Sequence, residues 1–132
     1  MIIVAGCGYV GAPLADRLHA AGHRVVGITH SSASAALLAS PKPWTATACD
    51  ITDSAVVAKL AAELGADEPV TSLVHCASSG RGGEDAYRAV YLQGLQNLLD
   101  AFPAARPVFT SSTSVYPQTD GSTVTVARPA GP

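Results

Sequence analysis

Neither sign of charge is plentiful in this chain: 8 basic residues stand against 10 acidic ones among 132, a net charge of −2 with histidine neutral. Without a basic surplus there is no electrostatic grip on nucleic acid or on an anionic membrane surface, so small-molecule chemistry is the expectation. Cysteine is scarce too. Cys7, Cys49 and Cys76 are odd in number, far apart and set in apolar strand-like segments, which argues against a disulfide framework or a metal site. They predict buried thiols in a reducing, cytoplasmic compartment. Long apolar runs are missing as well: glycines interrupt the first one after Ala5, before it could cross a membrane or act as a signal peptide. No internal repeat or low-complexity linker is evident.

What the chain does have is glycine in a telling place. Ile2, Ile3, Val4 and Ala5 read as a short buried strand that runs straight into Gly6, Gly8 and Gly11, after which Pro13, Leu14 and Leu18 open a helical pattern. Such a strand, turn and helix can cradle a pyrophosphate. Gly6 makes the tight turn, Gly8 brings bare backbone to the phosphates, and Gly11 lets the helix pack closely. The helix start adds unpaired N–H groups and a positive dipole end.

Further along, Gly22 stops the first helix, and residues 24–29 form a second strand parallel to the first. An acid at the end of that strand would bind the 2′-hydroxyl of NAD, but Thr29, His30, Ser31 and Ser32 stand there. Hydroxyls and a histidine accept a 2′-phosphate better, so NADP is slightly favoured over NAD; the same serines can equally cap a short helix over Ala35–Ala39. A third strand over Trp44–Cys49 leads to Asp50, which can accept from an adenine amino group or close its own turn. Asp53 then caps a helix whose buried stripe is Val56, Val57, Leu60 and Leu64. A fourth strand over Val70–Ala77 carries His75, read as a core histidine, and delivers Ala77 and Ser78 to the edge where the glycine turn lies. One long helix over Glu84–Phe102 follows, with Tyr87, Tyr91, Leu95, Leu98, Leu99 and Phe102 facing inward and Gly94 allowing close packing. A fifth strand over Pro107–Thr110 ends in the hydroxyl-rich Ser111-Ser112-Thr113-Ser114-Val115-Tyr116.

With these residues in place, the chain resembles the extended short-chain dehydrogenase/reductase superfamily of the NAD(P)-dependent epimerase/dehydratase type. It is most similar to the atypical members with a Gly-x-Gly-Tyr-x-Gly turn. The resemblance runs from Met1 to about Gly121. It implies that Gly6, Gly8, Tyr9, Val10 and Gly11 bind the cofactor together with His30 and Ser31. It also implies that Asp50 and Ile51 border the adenine and that Ala77 and Ser78 lie near the ribose. Ser112, four residues before Tyr116, matches the family's active-site Ser/Thr, whereas Tyr116 is not its catalytic tyrosine. The glycine turn followed by Ala12-Pro13-Leu14-Ala15 also resembles the start of nucleotide-sugar 6-dehydrogenases, although those carry an acid after the second strand.

The departures from the family matter. Its Tyr-x-x-x-Lys pair, in which lysine lowers the tyrosine pKa, has no counterpart: Tyr9, Tyr87, Tyr91 and Tyr116 are followed at the fourth position by Pro13, Tyr91, Leu95 and Asp120. The expectation is therefore a truncated, Rossmann-like, doubly wound α/β domain over 1–121, with about five mostly parallel strands in the order 3-2-1-4-5 and an irregular tail over 122–132. Its function would be dinucleotide binding within an epimerase/dehydratase-type oxidoreductase acting on an unidentified small molecule, with little or no turnover. A non-catalytic dinucleotide-binding module or redox sensor is the second expectation. A fragment whose open fifth strand favours a homo-oligomer is the third.

Overall fold

β1 (Ile2–Ala5) and β2 (Val25–Thr29) are buried at every residue, as strands covered on both faces must be. With β3 (Thr45–Ala48), β4 (Ser72–His75) and β5 (Arg106–Phe109) they form one parallel sheet in the order β3-β2-β1-β4-β5. The computed structural model describes residues 1–65, 68–80, 82–112 and 116–127. Register is continuous across the centre: Val4 lies opposite both Gly27 and Val74, and Ala5 opposite both Ile28 and His75.

Because side chains alternate along a strand, the two faces of β1 feed different cores. Val4 joins Cys7, Ala15, Val25 and Trp44 under α1 (Gly11–Ala20) and α2 (Ser32–Ala39). Gly27 is required there, since a Cβ at that position would overlap the Trp44 ring and come within 2.6 Å of Cys7 Sγ. Trp44 is also held by its Nε1–H, which donates to Asp16 Oδ1 at 2.8 Å, while Lys42 Nζ donates to Asp16 Oδ2 at 2.6 Å. On the opposite face Ile3, Ile28, Val57, Leu60, Leu73, Leu98 and Phe102 pack beneath α3 (Ser54–Gly65) and α5 (Gly94–Ala101).

The local signals behave as their chemistry demands. Past α1, Gly22 adopts a φ of 88°, donates to His19 O at 2.9 Å, and is followed by His23 N–H donating to Leu18 O at 3.1 Å. That pair of bonds closes the helix end. Asp53 caps α3 by accepting from the N–H groups of Ala55 and Val56.

Several expectations need correction. The strands are shorter than their apolar runs, so Cys49 and Cys76 lie just past β3 and β4, and Cys76 is only half-buried. Val56 is 38% exposed and does not belong to the α3 stripe, which rests on Val57 and Leu60. The long helix is not uniform: α4 (Gly83–Arg88) passes through a π turn at Ala89–Gln93 before α5 begins. A π turn holds an extra residue and shifts the phase of the helix. Leu98 and Phe102 therefore face the core, whereas Tyr87, 48% exposed, turns away from it.

β5 ends the sheet, and Arg106 N–H and Thr110 N–H donate to Thr71 O and His75 O. By alternation Pro107 and Phe109 direct their backbone groups to the open side, where proline has no N–H to offer. The edge is thus partly blunted against further pairing.

Candidate functional site

The glycine turn is pinned at its base, because Gly6 N–H and Cys7 N–H both donate to Ile28 O, at 2.9 and 3.2 Å. Gly6 has a φ of 94°, and a Cβ on it would run into the backbone of Ala77, two residues past the end of β4. Gly11 is equally confined, by the Gly6 carbonyl and by Val4 Cγ1. Gly8 is the opposite case: a Cβ there would meet nothing within 4 Å. Two glycines build the turn, and the third leaves backbone uncovered. Among the described residues no side-chain cap is seen at the start of α1, where Val10 is the N-cap and Tyr9 is 98% exposed. That helix end keeps its positive dipole for an anion.

The turn opens into a cavity of about 420 Å³ at the carboxyl ends of β1, β2, β3 and β4. Of the expected residues, Gly6, Gly8, Tyr9, Val10, His30, Ile51, Ala77 and Ser78 line it. Three others lie beside it rather than in its lining. Gly11 packs α1 onto the turn, Ser31 caps α2 by accepting from Ser34 N–H at 3.2 Å, and Asp50 folds back on Thr52. Asp50 Oδ1 accepts from Thr52 N–H at 3.0 Å and Thr52 Oγ1–H at 2.7 Å, and lies 3.7 Å from His30 Nδ1. Burial disfavours the Asp50 carboxylate, yet the Thr52 bonds and His30 hold its pKa below the usual carboxylate range. In space, then, the end of β2 does have an acid nearby, supplied from the end of β3.

Thr29 lines the cavity as well, together with Ser34, which the sequence did not single out, and the three cysteines, which it marked only as buried thiols. Burial pushes the Cys7 thiol up to about 11 and raises Cys49 and Cys76 as well, so all three are protonated at neutral pH and poor nucleophiles. Asn97 was also missed. Buried in α5, it donates through Nδ2 to Ile51 O at 2.9 Å and accepts from Gln93 Nε2–H at 2.8 Å. Together with Gly94, whose absent Cβ would lie 2.9 Å from Ile51 Cγ1, it fixes the loop that closes the cavity. A lone Asn on the inward face of an apolar helix was the available signal.

A second cavity of about 300 Å³ adjoins the first and shares Cys76, Ala77 and Ser78 with it. Its other walls are Tyr87 and Tyr91 from the helix and Phe109, Thr110, Ser111 and Ser112 from the end of β5. Ser112 is therefore separated from the glycine turn but continuous with its cavity. Thr113, Ser114 and Val115 of the hydroxyl-rich segment lie outside the described residues, and Tyr116 beyond them is half-buried. Beneath the second cavity His75 is fully buried. Its Nε2–H donates to Val90 O in the π turn at 3.2 Å, and its Nδ1 has no partner among the described residues. Burial lowers its pKa, so the ring is neutral, in agreement with a core histidine.

Among the described residues no group of three or more His, Cys, Asp or Glu is placed to hold a metal, and no helix is long and apolar enough to cross a membrane.

Known proteins share this fold. A putative epimerase from Burkholderia cenocepacia matches 99% of this chain over 43% of its own, at 24% identity and a TM-score of 0.76. A metagenomic short-chain oxidoreductase in complex with NADP matches 79% of this chain over 56% of its own, at 28% identity and a TM-score of 0.64. The Bordetella bronchiseptica enzyme WbmH in complex with NAD+ matches 76% over 33%, at 26% identity and a TM-score of 0.60. The chain thus spans a third to somewhat under two thirds of these structures. No curated protein matches it. The model of the NAD dependent epimerase/dehydratase family matches residues 2–132, and the chain belongs to that family.

Proposed function

We propose that this chain binds a nicotinamide dinucleotide across the carboxyl ends of its strands, as the cofactor-binding part of an epimerase/dehydratase-type oxidoreductase. The observation that carries the reading is Gly8, where uncovered backbone, an uncapped helix start and the larger cavity coincide. Bare backbone facing open space at a helix start fits the close approach of a pyrophosphate. The backbone from Gly6 to Gly11 would hold the phosphates, Ile51 and Asp50 the adenine, and Ala77 and Ser78 the ribose beside the nicotinamide. When bound, the nicotinamide exchanges a hydride with an alcohol or carbonyl carbon. Ser112 would position the substrate oxygen in the second cavity. His30, Thr29 and Ser34 present an imidazole and hydroxyls rather than an acid on β2 itself, which favours NADP, while Asp50 beside His30 moderates the preference. Three unpaired thiols suit a reducing cytoplasm.

None of the four tyrosines is followed by lysine at the fourth position, which favours weak or absent turnover by this chain alone and supports a second reading as a non-catalytic binding module. Calorimetric titration with NADP+ and NAD+ tests both readings. Binding of either, tighter for NADP+, is expected, and no binding of either overturns the proposal. Binding accompanied by slow hydride exchange with added carbonyl compounds supports the enzyme, and binding with none supports the module.

A further inference from the structure

The two cavities differ in chemistry. The helix wall of the second is aromatic: the Tyr87 and Tyr91 ring centroids are 4.3 Å apart, and Phe109 meets Tyr91 edge-on at 6.2 Å. These rings are not consumed by the core, since Tyr87 is 48% and Phe109 41% exposed. The phase shift of the π turn is what frees Tyr87. Facing them at the end of β5 are the hydroxyl-bearing residues Thr110, Ser111 and Ser112.

Among the described lining residues none carries a formal charge, so a phosphate or carboxylate entering here would lose water without gaining an ionic partner. A flat ring with one polar substituent satisfies both walls, and offset or edge-on ring contacts are the ones aromatic side chains favour. The volume allows it: about 300 Å³ exceeds the roughly 150 Å³ in which a benzene ring fits an apolar protein cavity.

We propose that the second cavity takes an uncharged aromatic carbonyl compound or the corresponding alcohol, its ring against Tyr87, Tyr91 and Phe109 and its oxygen at the hydroxyl row of Thr110, Ser111 and Ser112. Its role as substrate rests on the cofactor reading above, because the cavities meet at Cys76, Ala77 and Ser78; ring binding itself does not.

The test is ligand-observed NMR titration of the full chain with acetophenone, with and without saturating NADP+, alongside 1-cyclohexylethanone and benzoate. Acetophenone is expected to bind about tenfold more tightly than either control. Tyr87→Leu, at a half-exposed position, and Tyr91→Leu should each weaken acetophenone severalfold while leaving NADP+ affinity unchanged. Equal affinity for acetophenone and its saturated counterpart, or no effect of Tyr87→Leu in a protein whose urea midpoint is unaltered, overturns the ring assignment. NADP+ affinity on the same samples separates the two readings. If NADP+ binds and acetophenone does not, the ring assignment alone fails; if acetophenone binds and neither dinucleotide does, the ring assignment holds and the substrate role fails.

Discussion

Replacing the three glycines of the turn one at a time by alanine should separate folding from binding. At Gly8 the added methyl meets nothing within 4 Å and φ lies outside the left-handed region, so the protein without cofactor should keep its stability. It can even gain about 0.4–1 kcal/mol from the stiffer unfolded chain. The same methyl stands where a pyrophosphate would approach the backbone. Loss of one charge-assisted hydrogen bond there costs about 1.5–3 kcal/mol, a roughly ten- to hundredfold weaker dinucleotide complex. Gly6→Ala should do the reverse. Holding alanine at a φ of 94° costs about 1–2 kcal/mol, and pressing its Cβ into the Ala77 backbone costs a further 1–3 kcal/mol or so. The total is a large part of a typical stability of about 5–15 kcal/mol. Gly11→Ala meets the Gly6 carbonyl without the φ cost and should fall between the two. Urea midpoints and calorimetric titration with NADP+ give the two readouts. A Gly8→Ala protein that folds normally and binds NADP+ as tightly as the parent refutes the pyrophosphate assignment; a Gly6→Ala protein as stable as the parent refutes the packing account.

Three further outcomes are expected. Asn97→Ala leaves the buried Ile51 carbonyl unpaired and should cost about 1–3 kcal/mol in urea unfolding, with weaker dinucleotide binding because Ile51 lines the cavity. Burial depresses the folded-state pKa of His75, so the unfolded chain takes up the proton first as pH falls below 6.5. The stabilisation is complete above that pH and is lost as pH drops toward the folded pKa; urea midpoints at pH 7.5 and about 5.5 should differ less in His75→Leu than in the parent. The hydrogen bond from Lys42, and after it that from Trp44, lowers the Asp16 pKa, so its contribution is present above 3.8 and lost as pH falls through the lower folded value. Asp16→Asn keeps an acceptor for Trp44 but not the ionic partner of Lys42, and its difference from the parent, followed by tryptophan fluorescence, should vanish in acid.

The frame was legible because its determinants are local. A four-residue apolar strand, glycines at fixed spacing and a helix carry the chain from one parallel strand to the next, and crossover handedness leaves few orders for the rest. Gly22 and Asp53 marked helix ends through bonds within a few residues of themselves. What escaped the reading depends on partners distant in sequence. The π turn leaves the apolar spacing of residues 84–102 almost unchanged while moving Tyr87 off the core, so the pattern reads as one continuous helix. Asn97 is meaningful only beside Ile51, 46 residues earlier, and the acid beside His30 at the end of β2 is Asp50, which comes from just past β3. The serine after His30 was ambiguous for a physical reason, since one hydroxyl can cap a helix or meet a phosphate, and here Ser31 caps.

Trp44, the only tryptophan of the chain, and the thiol of Cys7 crowd the same space left by Gly27, and Cys7 is the residue between Gly6 and Gly8. Thiols quench indole emission at contact distance. The glycine turn thus carries its own optical reporter. Anything that shifts Cys7 by a fraction of an ångström should change the brightness of a fluorophore on the opposite face of the sheet from Leu98, without a label and without disturbing the cavity being observed.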